Sequence, residues 1–474
     1  MLTNIKYFLS LLLIFGFSLA SFSQEKNEEG KKEKAPAYQL LRELENYSYL
    51  KEESNFETDF WDPIKFIPFN ASKNIYLTVG GEFRPRFEYF NNNNWGETAE
   101  KNDAFYSQRL ALYSSLSLAK YVRLYGEIYH GILSKEEKVF AEDDNVDLFQ
   151  GFLDINLPLK DNKLTFRLGR QEMAFGATRL VGIREGFNLR RSFDAARAIY
   201  KSDNLEIESF YGREVIVAPG NGAFENKRDD HMDFYGIYSR INHIGRLPGQ
   251  TELYYFGFEI DQAIFNDGTG AEIRHTLGIR RHGKVGKHVL FNTEIMYQFG
   301  TFADKDINAW AIELDYHYSF LNTEHLKSVG FKLDYISGDR TAGDDKLQTF
   351  NPLFTNPAYF GLLAILTPAN LMDIHPSSKW ELGENIEFGF DWDFFWRASK
   401  NDGLYRPPRF LARDGQNADS RFIGHKPGIE LGYKVSRHIK WSLDASYFIS
   451  GDFIKETGES ENIFHFATTT SYKF

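Results

Sequence analysis

Between residues 169 and 200 the chain reads GRQEMAFGATRLVGIREGFNLRRSFDAARAIY. Arg170, Arg179, Arg184, Arg190, Arg191 and Arg197 stand there against Glu172, Glu185 and Asp194, in a protein whose formal net charge is −11 over 474 residues. Guanidinium groups gathered in an acidic chain either pair with neighbouring carboxylates or are kept for an anionic ligand, which arginine can hold bidentately. Charge alone does not choose between a solvated, locally paired loop and a binding loop. Gly169, Gly176, Gly182 and Gly186 would allow the middle of the stretch to fold back on itself.

The elements that must position this stretch are strands. Aromatics make up 16% of the chain, with Tyr 26, Phe 44 and Gly 38, while the mean hydropathy is negative. Such a chain is not a helical membrane protein; many aromatics, many glycines and short turns suit an all-β protein with two kinds of face. The absence of cysteine excludes disulfides, thiolate metal sites and a lipidated N-terminal cysteine. The acidic balance argues against a nucleic-acid partner.

Residues 1–23 read as a secretory signal peptide: Lys6 gives a weakly positive start, and residues 9–19 are apolar but too short to span a bilayer. Small residues at Ser21 and Ser23 put the first mature residue at Gln24, with an uncleaved anchor as the alternative. Residues 24–60 are expected to form a flexible periplasmic lead-in. Within it residues 25–34 are almost all charged, and Leu40, Leu41, Leu44 and Tyr47 fall at the spacing of one short amphipathic helix.

From Asn74 the pattern changes to period two. Ile75, Leu77, Val79, Gly81, Phe83, Phe87 and Tyr89 alternate with Thr78, Gly80, Glu82, Arg84, Arg86 and Glu88. Ile386, Phe388, Phe390, Trp392, Phe394 and Trp396 alternate with Glu387, Asp391, Asp393 and Arg397, and Trp441, Leu443, Ala445, Tyr447 and Ile449 with Lys440, Ser442, Asp444 and Ser446. Alternate side chains of a strand lie on opposite faces, so one face is apolar and aromatic and the other charged. A soluble sandwich alternates too, but its strands run to about five or six residues. Roughly ten to fifteen, as here, is the length that crosses a bilayer at a tilt.

The pattern predicts about eighteen strands, at 75–90, 104–119, 121–133, 147–157, 163–174, 193–201, 204–214, 231–241, 250–261, 272–283, 286–300, 306–320, 325–339, 366–379, 384–398, 425–436, 438–452 and 462–474. Connections alternate with few exceptions between long (91–103, 134–146, 174–192, 213–230, 340–365 and 399–424) and short (120, 159–162, 202–203 and 437). An even strand count with long loops on one side and tight turns on the other is the signature of a transmembrane antiparallel β-barrel, with long extracellular loops and short periplasmic turns. The barrel is expected over 61–474. Closure pairs every backbone group, so no edge meets lipid, and the charged face becomes the lumen of a water-filled channel.

By strand parity Arg84, Arg86, Arg109, Arg123, Arg274, Arg280, Lys332, Arg397 and Lys434 face that lumen. So do Glu82, Glu88, Glu127, Glu313, Asp315, Asp334, Glu387, Asp391 and Glu430. Cross-strand ion pairing accounts for many of these charges. The stretch at 169–200 departs from that balance. Folded inward, it would narrow the pore to a positive constriction, which selects anions by weak, multiple contacts.

Residue strings through most of the chain carry a resemblance: YLTVGGEFRPR (76–86), GRQE (169–172), GATRL (176–180), RRSFDAAR (190–197), NPLF (351–354), YFG (359–361), NL (370–371), FWR (395–397), DGLY (402–405) and FIGH (422–425). In this order, and with this strand count, the chain resembles the alginate-export family of outer-membrane porins over about residues 60–474. The resemblance implies a monomeric, eighteen-stranded barrel in the outer membrane of a Gram-negative bacterium, conducting an anionic polysaccharide past an arginine-lined constriction. On the matching segments the arginines are Arg84, Arg86, Arg170, Arg179, Arg190, Arg191, Arg197 and Arg397. The resemblance also implies contact with membrane lipid and lipopolysaccharide, and leaves a periplasmic export partner open.

Other functions find less support. His275, His317, His425 and His465 are scattered, and no nucleophile elbow, HExxH or paired-carboxylate motif occurs, so catalysis is not expected and no cofactor or metal is implied. Ile-Ser-Gly-Asp recurs at 336–339 and 449–452 and reads as a rim turn. Glu142, Asp143 and Asp144 read as a solvated loop, with divalent-ion or lipopolysaccharide binding as the alternative. A general diffusion porin, or an uptake channel for acidic oligosaccharides, would share the barrel.

Overall fold

Alternation of apolar and charged residues builds one closed sheet. The computed structural model describes residues 37–52, 59–98, 101–135, 141–217, 222–408, 410–416 and 418–474; the expected signal peptide lies outside them. Eighteen long strands follow one another: β1 (Ile75–Asn91), β2 (Asn102–Leu118), β3 (Val122–Leu133), β4 (Asp144–Leu159), β5 (Asn162–Gln171), β6 (Phe193–Lys201), β7 (Leu205–Ile216), β8 (Met232–Ile241) and β9 (Gln250–Phe265). The second half comprises β10 (Gly268–Val285), β11 (Val289–Phe302), β12 (Lys305–Ser319), β13 (Leu326–Ile336), β14 (Leu371–Glu381), β15 (Ile386–Arg397), β16 (Phe422–Lys434), β17 (Ile439–Ser450) and β18 (Ile463–Lys473).

Each strand pairs antiparallel with the next. The ring closes where β18 meets β1, with Glu82 opposite Lys473 and Asn91 opposite Phe464. The outer face is apolar: Leu168 is 48% exposed and Leu277 50%, whereas luminal Glu82 and Arg109 are buried at 5% and 1%. Every expected strand is present. β14 begins at Leu371 rather than at 366 because the preceding residues belong to a long inward loop. β5 stops at Gln171, short of the expected 174, because the chain there turns into the lumen. At the long-loop end two connections, 266–267 and 303–304, are tight.

Two loops fill much of the lumen, 172–192 between β5 and β6 and 337–370 between β13 and β14. Val181 and Phe354 form a parallel bridge between them, Gly182 N–H donates to the Phe354 carbonyl (2.9 Å) and Phe354 N–H to that of Leu180 (2.8 Å). Met173, Phe175, Leu180, Val181, Phe350, Leu353 and Phe354 pack against luminal Phe193, Phe210, Phe234, Phe256 and Met296. The two loops thus share an apolar core with the wall, where each buried aromatic contributes about 1.5–3 kcal/mol to holding the loops in place.

The stretch expected as a flexible lead-in differs from that expectation. Residues 37–52 and 59–66 are seated inside the barrel mouth at the short-turn end, where Tyr47, Leu50 and Phe66 form their own buried cluster. Instead of an amphipathic helix there are two 3₁₀ turns, Arg42–Leu44 and Ser48–Lys51. The carbonyls of Leu40 and Glu43 accept from Arg190 and Arg123 (both 2.6 Å), which ties the segment to the barrel wall and the inward loop.

Candidate functional site

Cross-strand register aligns the luminal arginines of the first strands, Arg84 lying opposite Arg109 on β1 and β2. Like charges this close need a counter-ion, and the inward loop delivers one. Glu185 Oε1 lies 3.0 Å from Arg84 Nη1 and 2.9 Å from Arg109 Nη2, and its Oε2 lies 2.8 Å from Arg190 Nε. Three guanidinium groups thus hold one carboxylate. Glu82 shares Arg109 (3.0 Å) and Glu172 shares Arg190 (3.3 Å). Carbonyls complete the seat: Arg84 donates to that of Phe187 (2.7 Å), Arg86 to that of Gly186 (2.8 Å) and Arg109 to that of Asn188 (3.3 Å).

The other arginines of the stretch are engaged elsewhere. Arg184 and Arg191 share Glu214, at 2.6 and 2.9 Å, and Arg191 also donates to the Phe354 carbonyl, tying the two loops together. Arg179 joins the loop to Glu294 (3.0 Å) and Glu313, and Arg197 pairs with Glu208. Arg170 does not enter the lumen. It shares its face with outward Phe166 and Leu168, pairs with Asp194 (2.8 Å) and donates to the Leu148 carbonyl. Arg397 is not pore-lining either: wholly buried, it donates to the carbonyls of Lys400, Asp402, Gly415, Ala418 and Ser420, clamping the loop that follows β15. Arginine serves there as a hub for loop carbonyls, a use that strand parity cannot distinguish from pore lining. Glu142, Asp143 and Asp144 are buried rather than solvated. Glu142 accepts from Asn188 N–H of the inward loop (3.2 Å) and Asp143 from Leu133 N–H (3.0 Å).

Further round the wall, on β14 and β15, His375, Asp391 and Asp393 bring ligand atoms within 4.8 Å of one another. His375 turns Nδ1 to Asp393 (2.7 Å) and Nε2 to Asp391 (3.4 Å), while Lys426 Nζ sits 2.9 Å from Asp393. The carboxylates already have cations, so the cluster is a self-compensated network rather than a metal centre.

Sequence reasoning missed the plug formed by residues 37–52 and 59–66 at the short-turn end. Arg42 donates to the carbonyls of Gly81 (3.1 Å) and Phe474 (3.0 Å), and Trp61 stacks on Phe474 at 4.4 Å. Asp59 meets Arg437 (2.9 Å) and His438 (2.7 Å). The signal available was the aromatic and charged composition of 38–66, too rich for a spacer. Burial would raise the Asp59 carboxyl, but the hydrogen bond with His438, the Trp61 N–H and the Arg437 charge bring it down to about 2 from 3.8. Burial and then the charge of Arg42 lower Lys65, ringed by Tyr38, Tyr47 and Tyr113, from 10.5 to about 7. Asp59, its value depressed on docking, contributes in full above 3.8 and loses that contribution as the pH falls toward 2. Lys65 opposes docking at neutral pH and below, and does so less as the pH rises from about 7 to 10.5. Docking should therefore be firmer in alkali than in acid. Limited proteolysis of residues 37–66 in detergent is expected to slow between about pH 3 and pH 9, and a rate that rose with pH would contradict the assignment.

Crystal structures of Pseudomonas aeruginosa porins share the fold. OccK2 (OpdF) superposes with a TM-score of 0.55 at 12% identity, covering 84% of this chain and 97% of that one. OccK2 in complex with glucuronate gives 0.53 at 11% (84% and 96%), and OpdK with vanillate 0.53 at 10% (84% and 98%). At these identities the likeness is one of fold, and no curated protein sequence matches the chain. The sequence model for alginate export, however, matches residues 75–468, so the protein belongs to the alginate-export family of Gram-negative outer-membrane β-barrel channels.

Proposed function

We propose that the protein passes anionic solutes, acidic saccharides foremost, passively across the outer membrane past the arginines around Glu185. The observation that carries this reading is the single carboxylate held by Arg84, Arg109 and Arg190. A site that binds one carboxylate from its own loop has the donors and the field to bind that of a permeant. Glucuronate, bound in the OccK2 structure, is a carboxylate-bearing sugar of the kind this site would accept. No bond is made or broken and no cofactor is required. The chain acts as a monomer, in contact with membrane lipid and lipopolysaccharide.

The wall from β13 to β17 favours a second reading, since Asp334, Asp373, Asp391, Asp393 and Asp444 could support cation passage. One measurement separates the two. The reversal potential across a salt gradient in a planar bilayer is expected to show anion preference in the wild type and a reduced preference in Arg84→Ala/Arg109→Ala and in Arg190→Ala. A cation-selective wild type, or variants indistinguishable from it, would return these arginines to a structural role and leave a general porin.

A further inference from the structure

We propose that the extracellular rim between β13 and β16 carries a binding site for a lipid-borne phosphate, the headgroup of a phosphorylated glycolipid of the outer leaflet, held by Arg340, Lys400 and Arg421. The site lies at the outer edge of the barrel and does not depend on the anion-channel reading above.

Three chain segments meet there. The chain leaving β13 (Tyr335, Ser337, Arg340), the turn after β15 (Ser399, Lys400) and the residue entering β16 (Arg421) enclose a cavity of about 390 Å³ that no carboxylate lines. All three cationic side chains are exposed, and none makes an ion pair among the described residues. The acids beside Arg340 and Lys400 in the chain are used inside the loops. Asp339 accepts from Gln348 N–H (3.2 Å), and Asp402 accepts from the hydroxyls of Thr349 (2.6 Å) and Tyr405 (2.7 Å). Other basic side chains at the long-loop end are paired: Arg213 and Arg228 with Asp230 (both 2.8 Å), Arg413 with Glu97 (2.8 Å) and Lys305 with Asp267. Three uncompensated cations around one cavity, in a chain of net charge −11, call for an anion from outside.

The cations stand on a fixed frame. Asn370 accepts from Ser399 N–H (2.7 Å) and donates to its carbonyl (3.1 Å), and Asn401 donates to the Arg340 carbonyl. The Lys400 carbonyl accepts from Arg397 (2.8 Å), and Arg421 donates to the carbonyls of Arg397 (3.2 Å) and Ala398. Outward aromatics set the depth of the site. Trp310 stacks on Tyr335 (4.7 Å, 10°) and Trp396 meets Phe422 at 5.6 Å, all near the long-loop ends of their strands. Such girdles mark the level of the lipid headgroups, and Tyr335 also lines the cavity. A phosphate there presents acceptor oxygens that arginine grips in pairs and lysine meets as a point charge. The acyl chains of the same molecule would lie along the apolar outer face below, a contact that a free anion cannot make.

The test is native mass spectrometry of the full-length protein in detergent, titrated with bisphosphorylated lipid A, with dephosphorylated lipid A as the control and inorganic phosphate as a competitor. Wild type is expected to bind the bisphosphorylated lipid about tenfold more tightly than the dephosphorylated one. Arg340→Ala/Lys400→Ala should erase that preference. Lys400→Glu, a change at one exposed side chain, should do the same and serves where the double variant does not fold. Arg213→Ala/Arg228→Ala removes rim arginines already paired with Asp230 and should leave the preference intact. Equal affinity of wild type for the two lipids, a preference that survives both changes at Lys400, or an equal loss in the Arg213/Arg228 variant would overturn the site. Displacement of the lipid by inorganic phosphate at equal concentration would assign the three cations to free anions and overturn the lipid assignment.

Discussion

Arg42→Ala combined with Trp61→Ala is expected to raise single-channel conductance severalfold by releasing the segment seated in the periplasmic mouth. The two side chains anchor residues 37–52 and 59–66 in the periplasmic mouth: Arg42 through the carbonyls of Gly81 and Phe474, Trp61 through the Phe474 ring and a 2.8 Å hydrogen bond to the Tyr472 hydroxyl. Hydrogen bonds from a charged donor contribute about 1.5–3 kcal/mol each and an aromatic pair about 0.5–1.5 kcal/mol. Together these reach the scale of roughly 5 kcal/mol that inverts a two-state population. Both anchors lie on barrel groups that remain paired within the sheet, so the barrel should survive their loss, which heat-modifiability on gels will report. Conductance recorded in planar bilayers decides the matter. Wild-type conductance in the double variant would mean that the segment lines the pore without closing it.

The second large effect is expected for Glu185→Gln. The amide keeps the shape but removes the charge that Arg84, Arg109 and Arg190 share. Two consequences follow from the same loss. The arginines become available to permeant anions, so the reversal potential moves toward anion selectivity. The loop also loses its ionic seat, at a cost of about 3–5 kcal/mol for a buried pair broken on one side. Its remaining hold is the carbonyl bonds from Arg84 and Arg86, the pairs of Arg179 with Glu294 and of Arg191 with Glu214, and the Val181–Phe354 bridge with its aromatic core, so current noise should increase as the Glu185 turn moves. A reversal potential unchanged from wild type would show that ions bypass this point.

How much of this was legible in the chain depends on the range of the interaction. Strand positions were legible because the period-two pattern is local: Phe83 and Phe87 alternate with Arg84 and Arg86 whatever the rest of the molecule does. The inward course of the arginine-rich stretch was legible from its charge and glycines. Arg170 was assigned to the pore with the arginine-rich stretch as a whole, whereas it stands at a rim on the outward face, beyond a residue with positive φ at Gly169. Arg397 was assigned by parity, which says which way a residue points from an ideal strand, whereas it stands at a strand end where loop carbonyls compete for it.

The amino-acid sequence by itself determined the barrel, its strand number and its two faces, since each follows from alternation and turn spacing along the chain, and it carried the family in residue strings such as RRSFDAAR (190–197). Only the tertiary structure decided which carboxylates meet which arginines, that residues 337–370 pack with 172–192 inside the barrel, and that residues 37–52 and 59–66 sit in the periplasmic mouth. Those contacts join residues hundreds of positions apart, as Arg42 and Phe474 do. No local period encodes them. They arise when closure of the sheet brings distant strands to one lumen, where buried charges must find partners wherever the chain provides them.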